Sequence, residues 1–364
     1  MCMTDKETKK LPFHVIILLA IAIFLGSCVN EKNKPNPTSA NLKEEASQDS
    51  ITETVVTNTV LEDQYLIIGG HRTNYTLSRH TSSSWFTTYM ITIGENRSAD
   101  LSGIEQFQNA TRLHITLLDT RDVDFSSLRY LQSLKFVEIG GRGLTAIPDF
   151  GGIPTLIWME IFSGRLASLN GIEKIPSLES LEISENYMPL TNTSSLRYLR
   201  NLKSLRFFKG NYTIDFSALA ELQYLEEVQL GGGGEFNLNG IGQTKSIKRL
   251  RLESNTSKAI DEQSVFKNIE EIGKITGLKE LYLDESITSV EFLANNVNLE
   301  ELVLIADKER DDYWDVLLPL DIKPLGNLTK LKRLIIRGFE LENVDAVKKL
   351  PNLEYFDTAL YESE

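Results

Sequence analysis

The sequence predicts an α/β solenoid, with a parallel β-sheet on the concave face and short helical or 3-10 segments on the convex face. Three observations predict it. A short phrase with apolar residues at offsets 0, +3 and +5, clearest in Leu178-Glu-Ser-Leu181-Glu-Ile183, occurs twelve times between Thr88 and Thr358. The first positions of the copies are spaced by 22, 24, 22, 22, 24, 23, 22, 31, 21, 32 and 22 residues, and a period in the twenties marks stacked repeats. Each copy also has a fixed lead-in at offsets −9, −6 and −3, and the −6 position is apolar in all eleven copies from Ile104 to Val347.

The chain in order reads as four regions. Residues 1–27 form a signal segment. Lys6, Lys9 and Lys10 precede the apolar run Leu11–Phe24, whose 14 residues are fewer than the roughly 20 that a membrane-spanning helix takes. Leu25-Gly26-Ser27-Cys28 resembles the bacterial lipobox, which implies that Cys28 becomes the lipidated first residue of the mature chain. An ordinary secretory signal or an uncleaved anchor is the alternative. After cleavage no further cysteine remains for a disulfide, a thiol nucleophile or zinc. Residues 28–58 lack aromatics and periodicity and read as the lipidated Cys28 followed by a disordered tether, with a root-mean-square reach of roughly 30 Å. Residues 59–87 are expected to cap the solenoid. Tyr65-Leu-Ile-Ile68 reads as a strand, Gly69-Gly70 and the residues after it as a turn, and Trp85 and Phe86 as cover for the apolar stripe. A ligand pocket on His71 and His80 is the less favoured reading of the same stretch.

From residue 88 to 364 the repeat translates directly into geometry. Offsets +2 to +6 alternate, so +3 and +5 point inward and +2, +4 and +6 point outward. Twelve strands about 4.8 Å apart give a sheet on the order of 55 Å along its axis. The three-residue spacing of the lead-in suits a short helical or 3-10 segment behind each strand. Two copies are longer, through insertions at 255–268 and 305–321. The second carries Asp307, Glu309, Asp311, Asp312 and Asp315 beside Tyr313 and Trp314, and lacks the glycine and terminal glutamate of an EF-hand loop. A solvated acidic loop is favoured there over a weak cation site or a partner contact.

Over roughly residues 85–364 the pattern resembles the leucine-rich-repeat family, most closely the 22-residue repeats of bacterial surface proteins such as the internalins. The resemblance implies adhesion or recognition rather than catalysis. The family usually has Asn at offset +8, bonding the backbone of the turn. Here Asn186 and Asn255 fit, while most copies carry Gly, Ser, Asp or Arg. Gly164, Gly210 and Gly233 are expected to satisfy the turn geometry without supplying a side-chain ladder, giving a looser turn.

Composition narrows the function. A formal charge of −13 and a pI near 5.0 argue against a nucleic-acid partner, which needs a basic stripe. Gly240-Ile-Gly-Gln-Thr-Lys-Ser246 lacks the glycine directly before lysine that a phosphate loop demands, and its register matches Leu169-Asn-Gly-Ile172. His71, His80 and His114 have no metal-ligand spacing, and no Gly-x-Ser-x-Gly elbow supports a hydrolase. No cofactor and no enzymatic activity are expected.

The outward columns carry the candidate site. Phe136, Trp158, Phe162 and Phe208 fall on neighbouring strands and are expected to turn aromatic area toward solvent, which marks an interaction surface. Beside them Glu138, Glu160 and Glu182 stand one per strand at offset +4. Stacked like charges destabilise a sheet, and a cationic partner relieves them. The bland alternative is that the aromatics cover the sheet and the glutamates solvate. The expected function is that of a lipid-anchored module of the bacterial cell envelope, at the outer membrane or cell surface, binding a protein or peptide on its concave sheet. The alternatives are a structural or self-associating envelope component and a carbohydrate binder.

Overall fold

The chain divides into two units, Met1–Asn58 and Thr59–Glu364. The computed structural model describes residues 67–358 of the second unit, apart from 69–70, 73–77, 81–87, 94–98, 102–103, 119–122, 151, 163, 187, 211, 255–263, 285–286 and 307–316. Cys28, the tether, Trp85, Phe86, Asn255, Tyr313 and Trp314 lie outside the described residues.

The twelve phrases become twelve strands of one parallel sheet, with a thirteenth strand added antiparallel at the N-terminal edge. In chain order, which is also the order across the sheet, these are β1 (Ser78–His80), β2 (Thr88–Ile93), β3 (Arg112–Leu117), β4 (Phe136–Gly140), β5 (Trp158–Phe162), β6 (Ser180–Ser184) and β7 (Ser204–Phe208). Then come β8 (Glu227–Gly231), β9 (Arg249–Glu253), β10 (Glu280–Asp284), β11 (Glu301–Ile305), β12 (Arg333–Arg337) and β13 (Tyr355–Asp357). Behind them run 3-10 turns such as Ile172–Lys174, Ser194–Tyr198 and Phe216–Glu221, and a four-residue α-helix at Asp345–Lys348. N-terminal to the sheet in sequence, Ile67–Ile68 pairs antiparallel with His71–Arg72.

Between the two layers the apolar offsets form one continuous core. Leu178, Leu181 and Ile183 are fully buried, as are their counterparts Leu202, Leu205 and Phe207. A column of aromatic rings runs through part of it, from Phe207 to Tyr212, Phe236 and Phe266, with centroids 5.0, 6.1 and 5.4 Å apart. Burying this stripe drives the stacking, since a single repeat has no partner for its apolar face. Three lead-in residues of the eleven later copies depart from the apolar rule, Thr193 at −9 and Thr244 and Asn296 at −3, and all three are buried. Thr193 accepts from the Asp215 amide, and Asn296 donates to the Ile275 carbonyl.

The first copy is displaced from its expected register. The spacing of 22 residues aligns Ile91 with Leu113, whereas the strands pair Tyr89 with Leu113 and Ile91 with Ile115. A shift of two leaves every side chain on its own face, so alternation alone does not detect it. The ten later registers are as the spacing predicts, with Leu181 beside Met159 and Leu205, for example.

The turns are held by devices other than an asparagine ladder. Asn186 does what its position implies, accepting from the Leu166 amide and donating to the Leu166 carbonyl at 2.8 Å each. In the next copy Tyr212 donates its hydroxyl to the Phe208 carbonyl at 2.6 Å, and Gly210 is there because a Cβ would fall 2.5 Å from that hydroxyl. Of the three turn glycines only Gly233 has a positive φ, so Gly164 and Gly210 are not required for backbone conformation. The wider support lies on the other side of each repeat. Position −10 is Asn, Asp or Ser in ten of the eleven later copies. Asp124, Asn192, Asp215 and Asp321 each accept there from the amide two residues on, at 2.8–3.3 Å, which starts the 3-10 turn. At position −1, Thr155, Ser177, Asn201 and Asn298 donate to carbonyls of the preceding repeat at 2.7–3.0 Å. These bonds satisfy groups that a single helical turn leaves orphaned.

Candidate functional site

Strand alternation puts offsets +2, +4 and +6 on the concave face, and between β3 and β7 this face is aromatic and acidic. The +4 column reads His114, Glu138, Glu160, Glu182 and Arg206 across five strands in register. The +2 column reads Arg112, Phe136, Trp158, Ser180 and Ser204. None of Phe136, Trp158, Phe162 and Phe208 stands fully in solvent; all four are half-buried. The expectation of outward aromatic area is corrected to that extent, since Arg112 lies against the Phe136 and Trp158 rings and His114 stacks on Phe162.

Three of the four aromatics belong to one packed group. Phe136 and Trp158 are partners across β4 and β5, with ring centroids 6.2 Å apart and planes at 53°. The Arg112 guanidinium lies 6.0 Å from the Phe136 ring and 5.7 Å from Trp158, within cation–π range. Phe162 reaches past β4 to stack on His114 at 5.1 Å. That reach depends on Gly140, where a Cβ would fall 2.6 Å from the Phe162 ring. Phe208 stands two strands away across Ser184 and, among the described residues, makes no ring contact with the other three.

The three glutamates do not share one electrostatic state. Arg112 pairs with Glu138, its Nε donating at 2.9 Å, and His114 Nδ1 lies 2.8 Å from the other carboxylate oxygen. Burial works against the Glu138 charge, but the His114 hydrogen bond and the Arg112 charge outweigh it and hold the carboxyl below its usual range. Glu182 faces Arg206 at 3.9 Å, while Arg206 is drawn the other way to Glu227 at 2.7 Å. Glu160, in the middle, has no ion pair or hydrogen bond among the described residues. Burial, then the charges of Glu182 and Glu138, push its carboxyl up to about 8.

Beyond β7 the face is charged and self-neutralising. Glu227 is shared by Arg206 and Arg249, Glu253 receives Gln229 and Arg251, and Arg333 pairs with Glu301. Arg251 covers the Tyr282 ring at 3.9 Å and Arg333 covers Tyr355 at 5.0 Å. Beneath these, Val303 and Ile335 pair in register and are each only 8% exposed, though both point to the concave side.

Arg112, His114 and Arg206 are the residues that sequence reasoning left out of the site. The signal was present, since they occupy the same outward columns and flank the glutamates on both sides. Among the described residues no group of three or more His, Cys, Asp or Glu is arranged to hold a metal ion, and no helix is long and apolar enough to cross a membrane.

No family model matches the chain, and no curated protein does. Solved structures do match. An internalin (inlF) from Listeria monocytogenes superposes with a TM-score of 0.50 at 16% identity, over 77% of this chain and 82% of that one. A leucine-rich-repeat protein of Leptospira interrogans gives 0.46 at 17% identity, over 72% and 70%. A second Listeria monocytogenes internalin, inlC2, gives 0.33 at 14% identity, over 75% and 80%. At these identities the likeness concerns architecture alone. Period, parallel sheet and structural likeness together make this chain a leucine-rich-repeat solenoid in fold.

Proposed function

We propose that the protein is a lipid-anchored, extracytoplasmic recognition module that binds another protein or peptide on its concave sheet between β3 and β7. One observation carries this reading. The aromatic rings of Phe136, Trp158 and Phe162 gather on the concave side of a sheet whose own core lies on the opposite face. Aromatic area of this kind, rimmed by charge, is the usual composition of a protein-binding centre. The membrane link rests on Cys28 and its preceding Leu-Gly-Ser, and the tether would hold the solenoid clear of the surface. Adhesion at the cell surface or within the envelope follows from that anchoring.

An enzymatic reading has one structural prompt. Thr116, His114 and Glu138 follow one another in the order of nucleophile, base and orienting acid, at 3.1 and 2.8 Å. Thr116 lies inside the parallel ladder, paired with Thr92 and Gly140, where neighbouring backbone amides are spent on the sheet. An oxyanion site needs such amides free. The relay therefore orients Glu138 and Phe162, and the protein is read as a binder.

The test is capture from an envelope extract by the full chain in detergent, beside Trp158→Ala and Phe208→Ala, with folding verified by circular dichroism. Prey held by the parent and lost from both variants supports the concave site. Equal capture by all three moves the site elsewhere, and recovery of the chain itself as prey favours self-association.

A further inference from the structure

We infer that the concave face accepts a lysine or arginine side chain from an extended segment of the partner, in the slot over β6 between Trp158 on one wall and Arg206 and Phe208 on the other. The inference rests on the concave-face reading above and gives that partner its chemistry.

The slot follows from side-chain size. On β6 the outward residues are Ser180, Glu182 and Ser184, so two small hydroxyls flank one carboxylate. The strands on either side present Trp158 in register with Ser180 and, opposite, Arg206 and Phe208 in register with Glu182 and Ser184, while the Phe162 ring leans away over Gly140 to His114. Those strands lie two spacings apart, about 10 Å, which is room for one long side chain but not for a second sheet.

Charge selects the occupant. Glu138, Glu160 and Glu182 are three carboxylates in one column, and the cations at its ends are already committed. Arg112 is spent on Glu138, and Arg206 is held by Glu227 more closely than by Glu182. Glu160 is left half-buried in the slot wall without an ion pair or hydrogen bond among the described residues. A carboxyl in that position loses hydration and gains nothing in return, unless a ligand supplies a cation. The walls suit a cation as well, since the faces of Trp and Phe attract ammonium and guanidinium groups. A bare metal ion fits less well. Consecutive strands space the carboxylates along the column, and no group of three among the described residues converges on one point. A charged head on a flexible apolar stem meets both the spacing and the aromatic walls.

The state of Glu160 gives a second handle. Burial, then Glu182 and Glu138, raise it to about 8, so Glu160 itself is largely protonated in the free slot at neutral pH. The other charged groups acting on it are Arg112, which favours ionisation, and Glu185, which opposes it. His114 acts through Glu138. A bound cation favours the ionised form, so its binding releases a proton and strengthens as pH rises through that range.

The experiment uses arrays of short extended peptides with a central Lys or Arg, beside the same peptides carrying norleucine or citrulline. The full chain in detergent is compared with Glu160→Gln, Trp158→Ala and, as a charge control on β10, Glu280→Gln. Glu160→Gln replaces a carboxyl that burial already keeps protonated, so it retains the fold. The expected result is a preference of about tenfold or more for the cationic peptides. It should be retained by Glu280→Gln, lost in Glu160→Gln, and greater at about pH 9 than at about pH 6. A preference that survives Glu160→Gln, or no preference in the parent, overturns the inference. If the parent binds charged and neutral peptides alike and Trp158→Ala binds neither, the cation slot fails while the concave site stands. If Trp158→Ala also binds as the parent does, both readings fail. No retention of any peptide overturns the slot, and the extract capture then decides the concave site independently.

Discussion

Glu138 and Glu160 are register partners on adjacent strands and face the same side of the sheet, yet one keeps its charge and the other keeps its proton. Their neighbours explain the difference. The column runs His114, Glu138, Glu160, Glu182, Arg206, so each outer carboxylate has a basic residue beside it and the central one has only carboxylates. Burial acts to raise the carboxyls of both, and at Glu160 the like charges of Glu182 and Glu138 add to it where at Glu138 the basic neighbours oppose it.

This relationship predicts how stability depends on pH. The folded-state value of Glu160, about 8, lies above the ordinary glutamate value of 4.5, so between the two the folded chain holds a proton that the unfolded chain has released. The contribution is fully present below 4.5 and is lost as pH rises through 8. With about 1.4 kcal/mol for each pK unit, the loss is on the order of a few kcal/mol. Glu160→Gln removes it. Urea titrations of both proteins at about pH 5 and about pH 9 should show the variant gaining stability relative to the parent at the higher pH only. A constant difference would refute the assignment.

Arg112→Met tests the other end of the column. It leaves Glu138 with His114 as its remaining partner and uncovers the Phe136 and Trp158 rings. The expected loss is about 1–3 kcal/mol by urea unfolding. The Arg112→Met/Glu138→Gln double variant should recover much of it, because the stranded charge is gone.

Two glycines at the same repeat position should respond differently to alanine. At Gly210 the new methyl meets the fully buried Tyr212 ring at 2.5–3.0 Å, and that ring has nowhere to retreat. At Gly164 nothing lies closer than 3.6 Å. Gly210→Ala should cost about 1–3 kcal/mol, with Gly164→Ala close to neutral. Thermal melts of the two variants decide between this and a shared backbone requirement.

Asn186→Ala removes three hydrogen bonds at one turn, to both backbone groups of Leu166 and to the Met188 carbonyl. Buried backbone groups left unpaired cost about 1–3 kcal/mol each, so a loss of about 2 kcal/mol or more is expected. Hydrogen exchange at the Leu166 amide should accelerate with it. Unchanged protection there would mean that water replaces the side chain.

Much of the architecture was legible before any coordinates. The apolar phrase identified the strands, the −6 column identified the core side of the 3-10 turns, and alternation placed Phe136, Trp158, Phe162 and Glu138, Glu160 and Glu182 on one face. The polar column at −10 was equally regular and passed unnoticed beside the apolar pattern, although it starts the turns. The first register was misplaced by two residues, since Tyr89, Ile91 and Ile93 satisfy the pattern either way. Of the four aromatics on that face, Phe136, Trp158 and Phe162 pack through Arg112, His114 and Glu138. Phe208 is kept apart by Ser184, a consequence of side-chain length rather than of strand order.

Sequence alone determined which residues share a face and which strands are neighbours, because period and alternation are properties of the backbone repeat. Tertiary structure alone decided how those neighbours divide their charges. Arg206 lies closer to Glu227 than to Glu182, Phe162 crosses Gly140 to His114, and Glu160 has no ion pair among the described residues. Those outcomes depend on rotamers, ångström-scale distances and the water each group loses, which a one-dimensional pattern does not encode.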